Sequence, residues 1–205
     1  MNGSRKNNVS ALLYVAALFN LVRVFLLYFF DVRRSSEISF QINIPSGVSL
    51  LAVAVELCLC ALLLVYAVKD SNYKIFSAII GCVALSELLQ TVKQINLIIR
   101  LAQIPDILGM LRMLLNVTVF VFGVVAVIKI QKTPQSTSAS VLFAGLLLVG
   151  VLWNDLVAGS ISSLILFRSL GQIYWVVSSL VCSVASIFVG VSVLLIGMNL
   201  SQSNT

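Results

Sequence analysis

The chain has 205 residues, 60% of them hydrophobic and 10% charged, against roughly half apolar and one quarter charged in a soluble domain. Its formal charge of +6 comes from basic residues scattered at the ends of apolar runs, not from the basic stripe that tracks nucleic acid. The absence of histidine excludes His-ligated haem, Ser-His hydrolases, zincins and His-based phosphatases.

A bilayer-spanning helix needs about 20 mostly apolar residues. Six stretches qualify: 11–30, 46–68, 75–99, 105–130, 140–166 and 173–198. They use most of the chain and leave no room for a soluble domain. The sequence therefore predicts an all-α, multi-pass integral membrane protein, one transmembrane domain over 1–205. Its six helices fall into three consecutive hairpins, about 9–69, 75–130 and 140–198.

The first stretch carries Asn20 and Arg23. It is of full length with no small-x-small site after it, and reads as an uncleaved anchor. The connection from Asp31 to Ser46 holds the one strand-like text, Glu37 to Ile44, in which apolar and polar residues alternate. It reads either as an ordered loop over the helix ends or as an extended segment at the lipid surface or across one mouth of the bundle. The second stretch contains Glu56, Cys58 and Cys60. That Cys-x-Cys lacks zinc spacing, and a cysteine in an apolar span is usually a small buried hydrophobe.

The third stretch is the most polar, with Glu87, Gln90, Lys93, Gln94 and Asn96. Glu87, Gln90 and Gln94 fall on one stripe at 100° per residue, flanked by Lys93. Such a helix either spans or lies along the surface, and the second choice would leave five spans with termini on opposite sides. Spanning is favoured because Glu87 aligns with Asp155 of a far more apolar segment. The fourth stretch carries Arg112 and Asn116, and the polar text from Gln131 to Ser140 is a loop. In the sixth, Ser178, Cys182, Ser186 and Gly190 recur every four residues, a small-residue face suited to close helix packing or to a dimer.

Some spacings recur. Asn20, Glu87 and Asp155 are each followed thirteen positions later by an arginine (Arg33, Arg100, Arg168). Ile44-Pro45 and Ile104-Pro105 each lead to a polar residue (Glu56, Asn116) and then to a lysine (Lys69, Lys129). Internal triplication and chance alignment of Val/Leu-rich segments both account for this. With the N-terminus in the cytoplasm, the inner segments hold Arg5, Lys6, Lys69, Lys74, Lys129 and Lys132 and the outer ones Arg33, Arg34, Arg100 and Arg168. That is a weak positive-inside bias placing both termini inside.

Six ionisable side chains fall well within the spans: Arg23, Lys93 and Arg112 against Glu56, Glu87 and Asp155. Exposed to lipid, they would together cost on the order of 15–20 kcal/mol, more than most folds have to spare. They are therefore expected to face one another or water inside the bundle, with Asn20 and Asn116 near the same level. Two functions follow. These eight residues line a pathway for a small solute or ion, in a transporter or channel, which the sequence reading ranks first by a narrow margin. Alternatively the charges are static pairs that fix helix packing in a structural or assembly subunit, with a membrane-protein partner or a second copy. No pattern calls for a cofactor, a metal or an enzymatic mechanism, and the lipid bilayer is the expected partner.

Overall fold

The computed structural model describes residues 2–34, 38–42, 45, 47–69, 72–101, 107–133, 138–151 and 170–202. The helices are α1 (Asn2–Val24), α2 (Val48–Lys69), α3 (Tyr73–Leu101), α4 (Ile107–Lys132), α5 (Ser138–Val151) and α6 (Leu170–Gln202). Among the described residues, five segments are long and apolar enough to cross a membrane: Val9–Phe29, Val48–Lys69, Tyr73–Asn96, Gly109–Lys132 and Leu180–Leu200. The apolar helix α5 is shorter in its described part, and 152–166, the rest of the expected fifth span, lies outside the described residues.

Local signals start and stop these helices. Gly47, at a φ of 56° that glycine adopts without a Cβ clash, precedes α2, and its carbonyl accepts the N–H groups of Leu50 and Leu51 at 3.1 and 3.2 Å. Asn72 caps α3, its Oδ1 accepting the N–H of Lys74 at 2.9 Å. Thr133 closes α4, where its backbone N–H and its hydroxyl both donate to the Lys129 carbonyl. After Val24 the first helix loosens into a π-helical turn, Phe25–Phe29.

Within the strand-like text, Ile38–Ile42 is a strand. Phe30–Arg34 (β1) pairs antiparallel with Ile38–Ile42 (β2), Phe30 opposite Ile42 and Val32 opposite Phe40. The register puts Ile42 and Phe40 opposite apolar partners, as period-2 patterning favours, while Ile38 stands opposite Arg34. The all-α expectation thus holds for the bundle, and a two-stranded hairpin is added to it.

Contacts along the helices fix their order and direction. Ser10 bonds the Ala67 carbonyl and Asn20 reaches Glu56, so α1 and α2 are antiparallel. Gly81 faces Val127 and Gly123 faces Ala84, so α3 and α4 are antiparallel too. Gly197 against Ser140 and Gly190 against Leu148 make the same case for α5 and α6, and Phe19 stacked on Phe188 together with Arg23 bonded to Ser186 for α1 and α6. Each helix packs on its sequence neighbours and the last packs on the first. The result is a closed ring in chain order with the start of α1 and the end of α6 at one end. Because α3 packs along α2, α4 and α6, it belongs to the bundle and is not a detached surface helix.

The hairpins are not separate units, since α2 meets α3 and α1 meets α6 as extensively as partners within a hairpin do. The recurring arginines also differ in setting: Arg33 lies in β1, Arg100 lies in α3, and Arg168 is outside the described residues.

Glycines set the closest approaches. A Cβ on Gly123 would stand 2.5 Å from the Ala84 Cβ and 3.0 Å from Phe143, and one on Gly190 would stand 2.9 Å from Leu148. The expected small-residue face of α6 is buried at Ser178, Cys182, Ser186 and Gly190.

The interior has three layers. Toward the end that carries both termini lies the larger apolar core, including Leu13, Leu63, Phe76, Ile79, Phe143, Val193 and Ile196. Toward the other end Val24, Tyr28, Ala52, Val53, Val55 and Leu89 form a smaller one. Between them lies a polar layer.

Candidate functional site

The polar layer is built from one or two side chains on each of several helices. Asn20 and Arg23 stand three apart on α1 and so share a face. Glu56 comes from α2, Ser86 and Glu87 from α3, and Ser186 from α6. Glu56 is only 1% exposed, and Asn20 is fully buried.

Glu56 is the acceptor on which the layer converges. Its Oε2 accepts an N–H from Asn20 Nδ2 at 2.9 Å. Its Oε1 accepts from the Arg23 guanidinium at 3.2 Å and from the Ser86 hydroxyl. The other terminal nitrogen of Arg23 donates to Ser186 Oγ at 3.0 Å. Four helices are thereby tied through one carboxylate and one guanidinium, with charge-assisted bonds that are stronger than neutral ones. Asn20 also reaches Cys60 Sγ at 3.5 Å, and that thiol lies 3.5 Å from the Ala17 carbonyl, extending the network one turn toward the larger core. Asn20 Oδ1 is buried without a hydrogen-bond partner among the described residues.

A small cavity of about 10 Å³ adjoins the pair, bordered by Arg23, Glu56, Ser86, Glu87 and Ser186 and by apolar side chains including Leu147 of α5. That is room for about one water molecule. Five of the six described helices meet at this point.

The eight residues expected to form one interior site are thus divided. Asn20, Arg23 and Glu56 are bonded together and half-buried Glu87 borders the same cavity. Lys93 does not join the polar layer: its side chain is exposed at the edge of the smaller core, with Nζ 4.9 Å from the centroid of the Tyr28 ring. It sits seven residues beyond Ser86, roughly 10 Å along α3 at 1.5 Å per residue, far enough toward the helix end for a lysine to snorkel.

Asn116 is buried, but it does not share the level of Glu56. Extending the pairing of Gly123 with Ala84 puts Asn116 opposite residues 91–92, roughly 8 Å from Ser86. Half-buried Arg112 lies another turn beyond. Asp155 is outside the described residues. No group of three or more potential metal ligands occurs among the described residues.

Ser86 and Ser186 are the members that sequence reasoning passed over. Serine in an apolar helix reads as a small packing residue, and Ser186 does belong to the small-residue face of α6. The available signal was adjacency: Ser86 precedes Glu87, and Ser186 recurs in register with Ser178 and Cys182.

Compared with known proteins, the chain matches no family model, no curated protein and no solved structure.

Proposed function

We propose that this chain is a multi-pass membrane protein whose buried ion pair fixes the order of its helices, and that it serves as a structural or assembly subunit of a membrane complex. The observation that carries this reading is the closed Arg23–Glu56 contact at 3.2 Å, both side chains under a tenth exposed. A carboxylate already holding an amide, a guanidinium and a hydroxyl has little capacity left for cargo. A buried pair contributes little net stability, yet mispairing it leaves an uncompensated charge among apolar side chains, so it selects one helix arrangement over others. The narrow preference for transport drawn from the sequence rested on a wet site, and the contact is closed.

A second reading keeps transport of a small solute or ion. It is supported by the cavity that reaches both Glu56 and Glu87 at the meeting point of five helices, since intramembrane carboxylates commonly mark such pathways.

Proteoliposomes carrying an internal pH-sensitive dye, under an imposed membrane potential, separate the two for protons; a radiolabelled sodium assay does so for a metal cation. On the structural reading both fluxes equal those of empty vesicles, Glu56→Gln lowers the yield of folded protein, and exchanging the charges by Arg23→Glu with Glu56→Arg restores it. Flux above empty vesicles that is lost in a well-folded Glu56→Gln or Glu87→Gln protein would overturn the structural reading in favour of transport.

A further inference from the structure

The alternation of the helices gathers lysines that are distant in sequence. Lys69 ends α2, Lys74 lies in the first turn of α3, and Lys129 and Lys132 lie in the last turn of α4. All four are exposed. Since α2 packs on α3 and α3 on α4, they occupy one continuous arc of the rim. The register supports the grouping: with Gly81 facing Val127 and Ala84 facing Gly123, Lys74 falls opposite residues 133–134, next to Lys132. The backbone of α1, with Ser10 at the level of Ala67, brings Arg5 and Lys6 to the same end.

The charge here is one-sided. The sequence places six basic residues and a single acid, Asp70, at this end. Among the described residues, the other end holds Arg33, Arg34 and Arg100 but also Asp31. Directly inside the lysines the outer surface turns apolar, with Val68 71% exposed and Val65, Tyr73, Val125 and Ile128 also exposed. A cationic rim above an apolar wall, with a tyrosine at the boundary, matches the two halves of a phospholipid.

We propose that the arc formed by Lys69, Lys74, Lys129 and Lys132 binds the headgroups of anionic phospholipids, whose acyl chains lie against the exposed apolar side chains of α2, α3 and α4. Phosphodiester oxygens meet the ammonium groups, and the rim faces the leaflet richer in anionic lipid. Each lysine near such a surface contributes a factor of about five in affinity, and helix dipoles favour the cations at the ends of α2 and α4, though not Lys74 at the start of α3.

The full-length protein purified from a defined mixture of phosphatidylglycerol and phosphatidylcholine tests this by the composition of the lipid it retains. Several-fold enrichment of phosphatidylglycerol over the bulk mixture is expected. The fourfold variant Lys69→Gln, Lys74→Gln, Lys129→Gln, Lys132→Gln should return to the bulk ratio, and the corresponding fourfold Lys→Arg variant should keep the enrichment. No enrichment in the unaltered chain, or enrichment that survives the Gln variant, overturns the proposal. Should the Gln variant fail to fold, unaltered chain in pure phosphatidylcholine supplies a second measurement: added phosphatidylglycerol raises its Tm and an equal amount of phosphatidylcholine does not, while equal effects overturn the proposal. Displacement of the retained lipid by millimolar inorganic phosphate would mark a site for free anions and overturn the lipid assignment.

Discussion

Arg23 and Glu56 are separated by 33 positions in the chain and by 3.2 Å in the fold, and the bond between them joins the first helix of the bundle to the second at the layer where both apolar cores end. Opposite charges held in a medium of low effective dielectric attract strongly, but each has lost its hydration. The pair is therefore more informative about specificity than about stability.

Removing one member should be much worse than removing both. Glu56→Gln or Arg23→Met leaves a buried charge without its partner and should cost about 3–5 kcal/mol. The double variant Arg23→Met, Glu56→Leu should recover most of that. Chemical unfolding in detergent micelles, arranged as a double-mutant cycle, measures the coupling. A double variant that costs the sum of the two single variants would show that the pair does not act as a unit.

The glycines make opposite predictions at two positions. At Gly123, where a methyl would stand 2.5 Å from the Ala84 Cβ, Ala should force α3 and α4 apart and cost about 1–3 kcal/mol, as overpacking usually does. At Gly145, where a Cβ meets nothing within 4 Å, the same change should be neutral or stabilise α5 through helix propensity. Thermal unfolding of the two variants side by side checks both.

Lys93 and Tyr28 join α3 to the π-helical end of the first helix by a cation–π contact. Tyr28→Phe keeps the ring face and should be close to neutral. Tyr28→Leu should cost about 0.5–1 kcal/mol beyond its packing loss, as for exposed pairs, and that excess should vanish when Lys93 is already Gln. Unfolding midpoints of the four combinations give the answer.

The cysteines should differ in reactivity. Cys58 is exposed on the outside of α2, whereas Cys60, two residues on, is buried between Asn20 and the Ala17 carbonyl. A lipid-soluble maleimide applied to the folded protein should label Cys58 many-fold faster than Cys60, and denaturation should equalise them. Mass spectrometry of the labelled peptides distinguishes the two sites. Faster labelling of Cys60 would contradict the facing of α2.

Much of the bundle was legible in advance. Runs of apolar residues mark the helices because an isolated backbone in hydrocarbon must satisfy its own hydrogen bonds. The cost of a charge in lipid told that Arg23 and Glu56 turn inward. The alternation from Glu37 to Ile44 marked β2, but its partner β1 was hidden at the end of the first apolar run, where Phe30 and Val32 continue the helix text. Lys93 was read as interior because its face was right. Its height along α3 was not legible, and height is what exposes it.

Composition and the energetics of lipid thus determine from sequence alone that this chain forms apolar helices and that charges such as Arg23 and Glu56 turn inward, since each of those requirements acts on a residue by itself. Only the tertiary structure decided that Arg23 meets Glu56, that Ser86 and Ser186 complete the layer, that the ring closes α6 onto α1, and that α2, α3 and α4 set four of the inner lysines on adjacent helices. Those are relations between helices, set by register and by close approach at residues such as Gly123 and Gly190. A pairwise distance of a few ångströms depends on the rotation and height of two helices at once, which no single stretch of sequence records.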